Sequence, residues 1–118
     1  RDSNEGLVLY LIKKISSNYN LSNKNVGILG MAFKSECDDI RSSLSYKLKN
    51  NLDRLCTNVF CTDPYVTEDK NLYNLEYTIK KSDIIIIGSP HKIYKKIDLK
   101  NKKVIDIWGI TDLKNSKI

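Results

Sequence analysis

Val26-Gly27-Ile28-Leu29-Gly30-Met31-Ala32-Phe33-Lys34-Ser35-Glu36-Cys37-Asp38-Asp39-Ile40-Arg41 is the stretch whose reading decides the fold. An apolar run ends at Gly30, and an aromatic, a lysine, two aspartates and an arginine follow before any helical periodicity returns. That order reads as a buried strand over residues 26–29, a loop loaded with polar chemistry, and the start of a helix. A loop so placed suits the phosphates of a nucleotide.

Outward from this stretch the periods are clear. Leu44, Leu48, Leu52 and Leu55 recur at helical spacing with Lys47, Asn50, Asn51 and Arg54 opposite, so a helix is expected over residues 42–55, capped by Asp39 or Ser42. Residues 59–62 have strand character and stop at Asp63-Pro64, whose proline has no N–H for a ladder. Leu72, Leu75 and Ile79 indicate a second helix ending at Lys81. Ile84-Ile85-Ile86-Ile87 is a β-branched run of the kind buried on both faces of a parallel sheet, closed by Gly88-Ser89-Pro90-His91. Residues 104–108 supply a last strand, and the lysine-rich 92–103 segment no more than a short helical turn. Upstream, Leu7, Val8, Leu11, Ile12 and Ile15 predict an amphipathic helix over residues 5–19 with Ser3 or Asn4 as cap, then a polar connection.

Strands alternating with helices predict an α/β fold: a Rossmann-like open, mostly parallel sheet flanked by helices and preceded by an N-terminal helix. Ligands of such sheets sit beyond the carboxyl ends of the strands, where this chain carries residues 30–41, Asp63-Pro64-Tyr65, Ser89-Pro90-His91 and Trp108-Gly109.

The 118 residues suit one domain, and 41% apolar with 29% charged residues places the chain among globular proteins. No apolar run is long enough to cross a bilayer, no signal peptide opens the chain, and no membrane partner is expected. A first residue other than methionine suggests a piece of a longer protein. Cys37, Cys56 and Cys61 form no Cys-x-x-Cys unit and none adjoins His91, so neither a disulfide framework nor a metal site is expected and a cytoplasmic setting fits. Cys56 and Cys61 read as small core residues. A net charge of +6 permits an anionic partner, nucleotide or nucleic acid, but the lysines are scattered in pairs along the chain. A basic nucleic-acid-binding module or a stand-alone nucleotide-binding regulatory domain is therefore the alternative reading. Receiver-like acyl-phosphate chemistry at Asp63 is not expected, because Asp38-Asp39 follow the first strand by a loop.

Dinucleotide binding would need glycines where Ala32 and Ser35 stand. A different phosphate site is more natural. Lys34 can meet a diphosphate as a point charge; Arg41 can fork onto phosphate or pair with Asp38 or Asp39 and order the loop; Phe33 can line a base or sugar or belong to the core.

These residues resemble a family. Gly30-Met31-Ala32-Phe33-Lys34 with Asp38-Asp39-Ile40-Arg41-Ser42-Ser43 is similar to the motif of the C-terminal nucleotide-binding domain of UDP-glucose/GDP-mannose dehydrogenases. Cys61-Thr62-Asp63-Pro64-Tyr65-Val66, Ser82-Asp83-Ile84-Ile85-Ile86-Ile87 with Pro90-His91, and Val104-Ile105-Asp106-Ile107-Trp108-Gly109 resemble its later strands, in order. Ser35, Cys37, Ser42 and Leu44 depart from its usual residues. The resemblance implies residues 1–20 as the end of a central-domain helix and 21–118 as the nucleotide-sugar (UDP) binding domain. It implies a part of an NAD-dependent enzyme oxidising the sugar of UDP-glucose, a UDP-N-acetylhexosamine or a similar substrate to the uronate, through a cysteine thiohemiacetal and thioester. In that family the catalytic cysteine and NAD fingerprint lie upstream, so no catalytic and no cofactor-binding residue is expected in this chain, which alone should be inactive. Phe33, Lys34 and Arg41, with Lys102 or Lys103 adding phosphate charge, are the implied substrate-binding residues, and Asp38 and Asp39 order the loop. The implied parent is a homo-oligomer that binds a UDP-sugar and no nucleic acid.

Overall fold

The structure, a computed structural model, describes residues 3–32, 36, 43–97, 99 and 102–107. Four parallel strands, β1 (Asn25–Leu29), β2 (Asn58–Thr62), β3 (Ile84–Ile87) and β4 (Lys103–Asp106), lie in the order β2-β1-β3-β4. Helix α1 (Ser3–Asn18) precedes them, α2 (Leu44–Leu52) joins β1 to β2, and α3 (Leu75–Lys81) joins β2 to β3. Short 3-10 helices at Leu21–Asn23 and Lys92–Lys96 complete the connections. The expected Rossmann-like α/β architecture is the one observed.

Alternation along the strands divides the core into two layers. Val26, Ile28, Ile84, Ile86 and Ile105 face one way and pack with Val8, Leu11 and Ile15 of α1 and Leu44, Leu48 and Leu52 of α2. Leu29, Ile85, Ile87 and Val104 face the other way, against Tyr94, Leu99 and, in α3, Leu75 and Ile79. All four residues of β3 are buried, as its unbroken β-branched run predicts for a central parallel strand.

The element ends differ from their sequence reading for local reasons. Helix α1 starts at Ser3, so Ser3 and Asn4 lie inside it rather than capping it. Helix α2 is capped by Ser43, whose hydroxyl accepts the Ser45 N–H, and not by Asp39 or Ser42. It ends three residues early, leaving Leu55 exposed: the chain turns at Asp53, whose N–H bonds the Lys49 carbonyl. Helix α3 begins after Asn74, whose side chain caps Tyr77 N–H, so Leu72 precedes it. The last strand stops at Asp106. Cys61 is buried as expected, while Cys56 is only partly so.

Candidate functional site

Beyond the carboxyl end of β1 the backbone leaves the ladder at Gly30, Met31 and Ala32 while still deeply buried. Buried peptide groups without ladder partners need others. Here every one finds it. Gly30 N–H donates to the Thr62 carbonyl at 2.8 Å. Met31 and Ala32 N–H both donate to Asp63 Oδ2, at 2.7 and 2.9 Å. Three serine hydroxyls then donate to the three carbonyls: Ser45 to Gly30 at 2.6 Å, Ser43 to Met31 at 2.7 Å and Ser89 to Ala32 at 2.7 Å. Side chains from β2's end, α2's start and β3's end therefore converge on one three-residue segment.

Asp63 is the centre of this arrangement. Its second oxygen accepts Tyr65 N–H at 2.8 Å, and Oδ2 also meets His91 Nε2 at 2.8 Å. Because β1 lies between β2 and β3, the Asp63–His91 pair spans the end of β1. Burial pushes the Asp63 carboxyl up, but the hydrogen bonds from His91 and from the Tyr65 and Met31 amides outweigh it and hold the group below its usual range. A carboxyl depressed on folding adds stability above its unfolded pKa of about 3.9, stability that is lost as pH falls through the folded value. Thermal melts should therefore show a stability loss below about pH 4 that is steeper in the native chain than in Asp63→Asn; equal slopes would remove Asp63 as its source.

The two glycines at this end are close-packed. Gly30 has φ +99°, and a Cβ there would lie 2.6 Å from Ser89 Cβ. A Cβ on Gly88 would come within 2.6 Å of the Gly30 carbonyl and closer still to Ser45 Oγ. Ser89 and Ser45 thus pack directly against the glycines where β1 and β3 end.

A model of the UDP-glucose/GDP-mannose dehydrogenase family, UDP binding domain, matches residues 27–113. The chain belongs to this family. A UDP-N-acetyl-D-mannosamine dehydrogenase of Methanocaldococcus jannaschii is 28% identical over 121 residues, covering 93% of this chain and 28% of that protein. The chain thus spans little more than a quarter of that relative. The solved UDP-D-ManNAc dehydrogenase of Pyrococcus horikoshii shares 27% identity with a TM-score of 0.61, over 80% of this chain and 22% of that one. The UDP-N-acetyl-mannosamine dehydrogenase of Staphylococcus aureus, at 20% identity, shares the fold with a TM-score of 0.78 over 92% of this chain and 28% of its own.

Within this UDP-binding domain, Phe33, Lys34, Asp38, Asp39, Arg41 and Cys37 lie outside the described residues. The flanks of their loop are described: Ala32 before it, Glu36 within it and Ser43 after it are all tied to the strand ends. Lys102 and Lys103 are not brought to this end. Lys103 opens β4 opposite Ile84, the first residue of β3, and Lys102 Nζ donates to the Ser82 carbonyl at 2.8 Å just past α3. Both sit at the amino edge of the sheet. Burial pushes the Cys56 and Cys61 thiols up to about 11 and about 12, so neither is an activated nucleophile. Among the described residues no group of three or more His, Cys, Asp or Glu gathers for a metal, and no helix is long and apolar enough to cross a membrane.

Sequence reading had placed Asp63 and His91 at strand ends without joining them. The signal that they belong together is the strand order, which puts β1 between their strands, and no local pattern carries it. None of the three serines carries a sequence signal for this role; the expected caps were Asp39 and Ser42.

Proposed function

We propose that residues 21–118 are the nucleotide-sugar-holding domain of an NAD-dependent nucleotide-sugar 6-dehydrogenase, with residues 1–20 ending a helix that leads into it. A UDP-N-acetylhexosamine is the favoured substrate, because the archaeal relatives bear that substrate's dehydrogenase name at 28 to 30% identity. The observation that carries the reading is the fully bonded Gly30–Ala32 backbone, which launches the lysine-bearing loop from a fixed point beyond the sheet. A fixed launch point lowers the ordering cost of binding an anionic ligand.

NAD, held by another part of such an enzyme, would accept the hydride. This chain's residues would bind and orient. Lys34 meets the diphosphate, Phe33 packs against base or sugar, and Arg41 adds a planar cation or orders the loop through Asp38 and Asp39. The chain alone supplies no oxidation.

Lys34→Ala should weaken UDP-glucose binding by about tenfold or more, the size of one charge-assisted contact to phosphate, with the melting temperature unchanged. Titration calorimetry reads this directly. An affinity equal to the native chain's would remove Lys34 from the site.

A further inference from the structure

His91 is completely buried, at 0% exposure, yet both ring nitrogens are in use. Nδ1 accepts the Glu36 N–H at 2.8 Å, and Nε2 faces Asp63 Oδ2 at 2.8 Å. A nitrogen that accepts an N–H carries no proton, so the hydrogen-bond network assigns a neutral ring whose one proton sits on Nε2 and is donated to Asp63. Through Asp63 the same ring reaches the amides of Met31 and Ala32. It thus ties down the backbone on both sides of residues 33–35.

Glu36 has a φ of +46°, a left-handed conformation that is strained for a non-glycine residue and persists where the surroundings hold it. It is held by the Nδ1 bond and by the Glu36 carboxylate, which accepts the Lys92 N–H at 2.6 Å.

We infer that His91 is a positioning residue for nucleotide-sugar binding, fixing the spacing between Ala32 and Glu36 through the bond its Nδ1 accepts from the Glu36 N–H and the bond its Nε2 makes to Asp63. The inference rests on the proposed role of the loop between them. Among the described residues, the groups facing the ring are Asp63 from the end of β2, the Glu36 carboxylate with Oε2 3.8 Å from Nδ1, and the rings of Tyr65 and Tyr94 at 4.6 and 5.5 Å. A side chain at position 91 with no acceptor where Nδ1 stands leaves the Glu36 N–H without this partner, and the left-handed turn loses a bond that holds it.

The test compares the UDP-glucose affinity of the native chain with that of two variants that each keep one of the two ring bonds. The amide of a glutamine reaches the Nε2 position and that of an asparagine the Nδ1 position. His91→Gln therefore keeps the Asp63 donor and removes the acceptor for Glu36, while His91→Asn does the reverse. His91→Gln should bind about fivefold more weakly than the native chain, the equivalent of one hydrogen bond, and His91→Asn, which keeps the acceptor for the Glu36 N–H, should bind within about twofold of it. Native-like binding by His91→Gln, or a loss in His91→Asn as large as in His91→Gln, overturns the inference. Absence of any UDP-glucose binding by the native chain overturns the functional reading instead. The latch is then judged without ligand, by nitrogen-15 spectra of the imidazole and exchange of the Glu36 amide: an Nε2–H ring with a protected amide supports it, and an Nδ1–H ring or an unprotected amide overturns it.

Discussion

Asp63→Ala is expected to cost about 4 kcal/mol of stability, a large fraction of the roughly 5–15 kcal/mol that holds a domain folded. The carboxylate accepts from four donors, the amides of Met31, Ala32 and Tyr65 and the Nε2–H of His91. Truncation leaves all four buried or half-buried without an acceptor. A single unsatisfied buried donor costs about 1–3 kcal/mol, and water entering the space left by the carboxylate recovers part of the sum. Asp63→Asn keeps one acceptor oxygen and should lose about half as much. Urea unfolding of the three proteins checks this, read as a shift in midpoint at constant slope. A loss under about 1 kcal/mol in Asp63→Ala would mean that the amides of Met31 and Ala32 find other partners.

Gly30→Ala should be nearly as damaging, at about 4 kcal/mol, for a separate reason. At φ +99° an alanine is strained whatever the space, and its Cβ would stand 2.6 Å from both the backbone nitrogen and the Cβ of Ser89. Ser89 cannot retreat without giving up its bond to the Ala32 carbonyl. The variant should therefore lose stability and also loosen the root of the loop, visible as faster exchange of the Ala32 amide. A variant with native stability would show that this end of the sheet is free to shift.

The two substitutions act on the same segment from opposite sides, which clarifies what could be read in advance. Periodicity places β3 and the Leu44, Leu48 and Leu52 face of α2 correctly, because burial on a strand or helix repeats at a fixed interval. The end of α2 was set too late, since Leu55 continues the leucine series while the chain already turns at Asp53. The strand-end network is of another kind. Its members come from four separated points, Gly30–Ala32, Ser43 and Ser45, Asp63, and Ser89 with His91, and meet only once the order β2-β1-β3 is fixed. Asp63 is legible as a strand terminator, but its bonds to the next strand's backbone are a property of the sheet. Lys102 and Lys103, to which the family resemblance gives a phosphate role, precede the last strand and so lie at its amino edge, away from the strand-end network.

The arrangement assigns a division of labour to the end of the sheet. Serines and Asp63 satisfy the buried backbone where β1 stops, and the proposed function gives the ligand contacts to Phe33, Lys34 and Arg41 of the loop that follows.

The most direct measurement is a nuclear magnetic resonance titration of the nitrogen-15-labelled chain with UDP and, separately, with NAD. The account predicts saturable shifts with UDP, concentrated at Ala32, Lys34 and Glu36, and none with NAD over the same range. Tighter binding of NAD than of UDP, or no response to UDP at those amides, would contradict it.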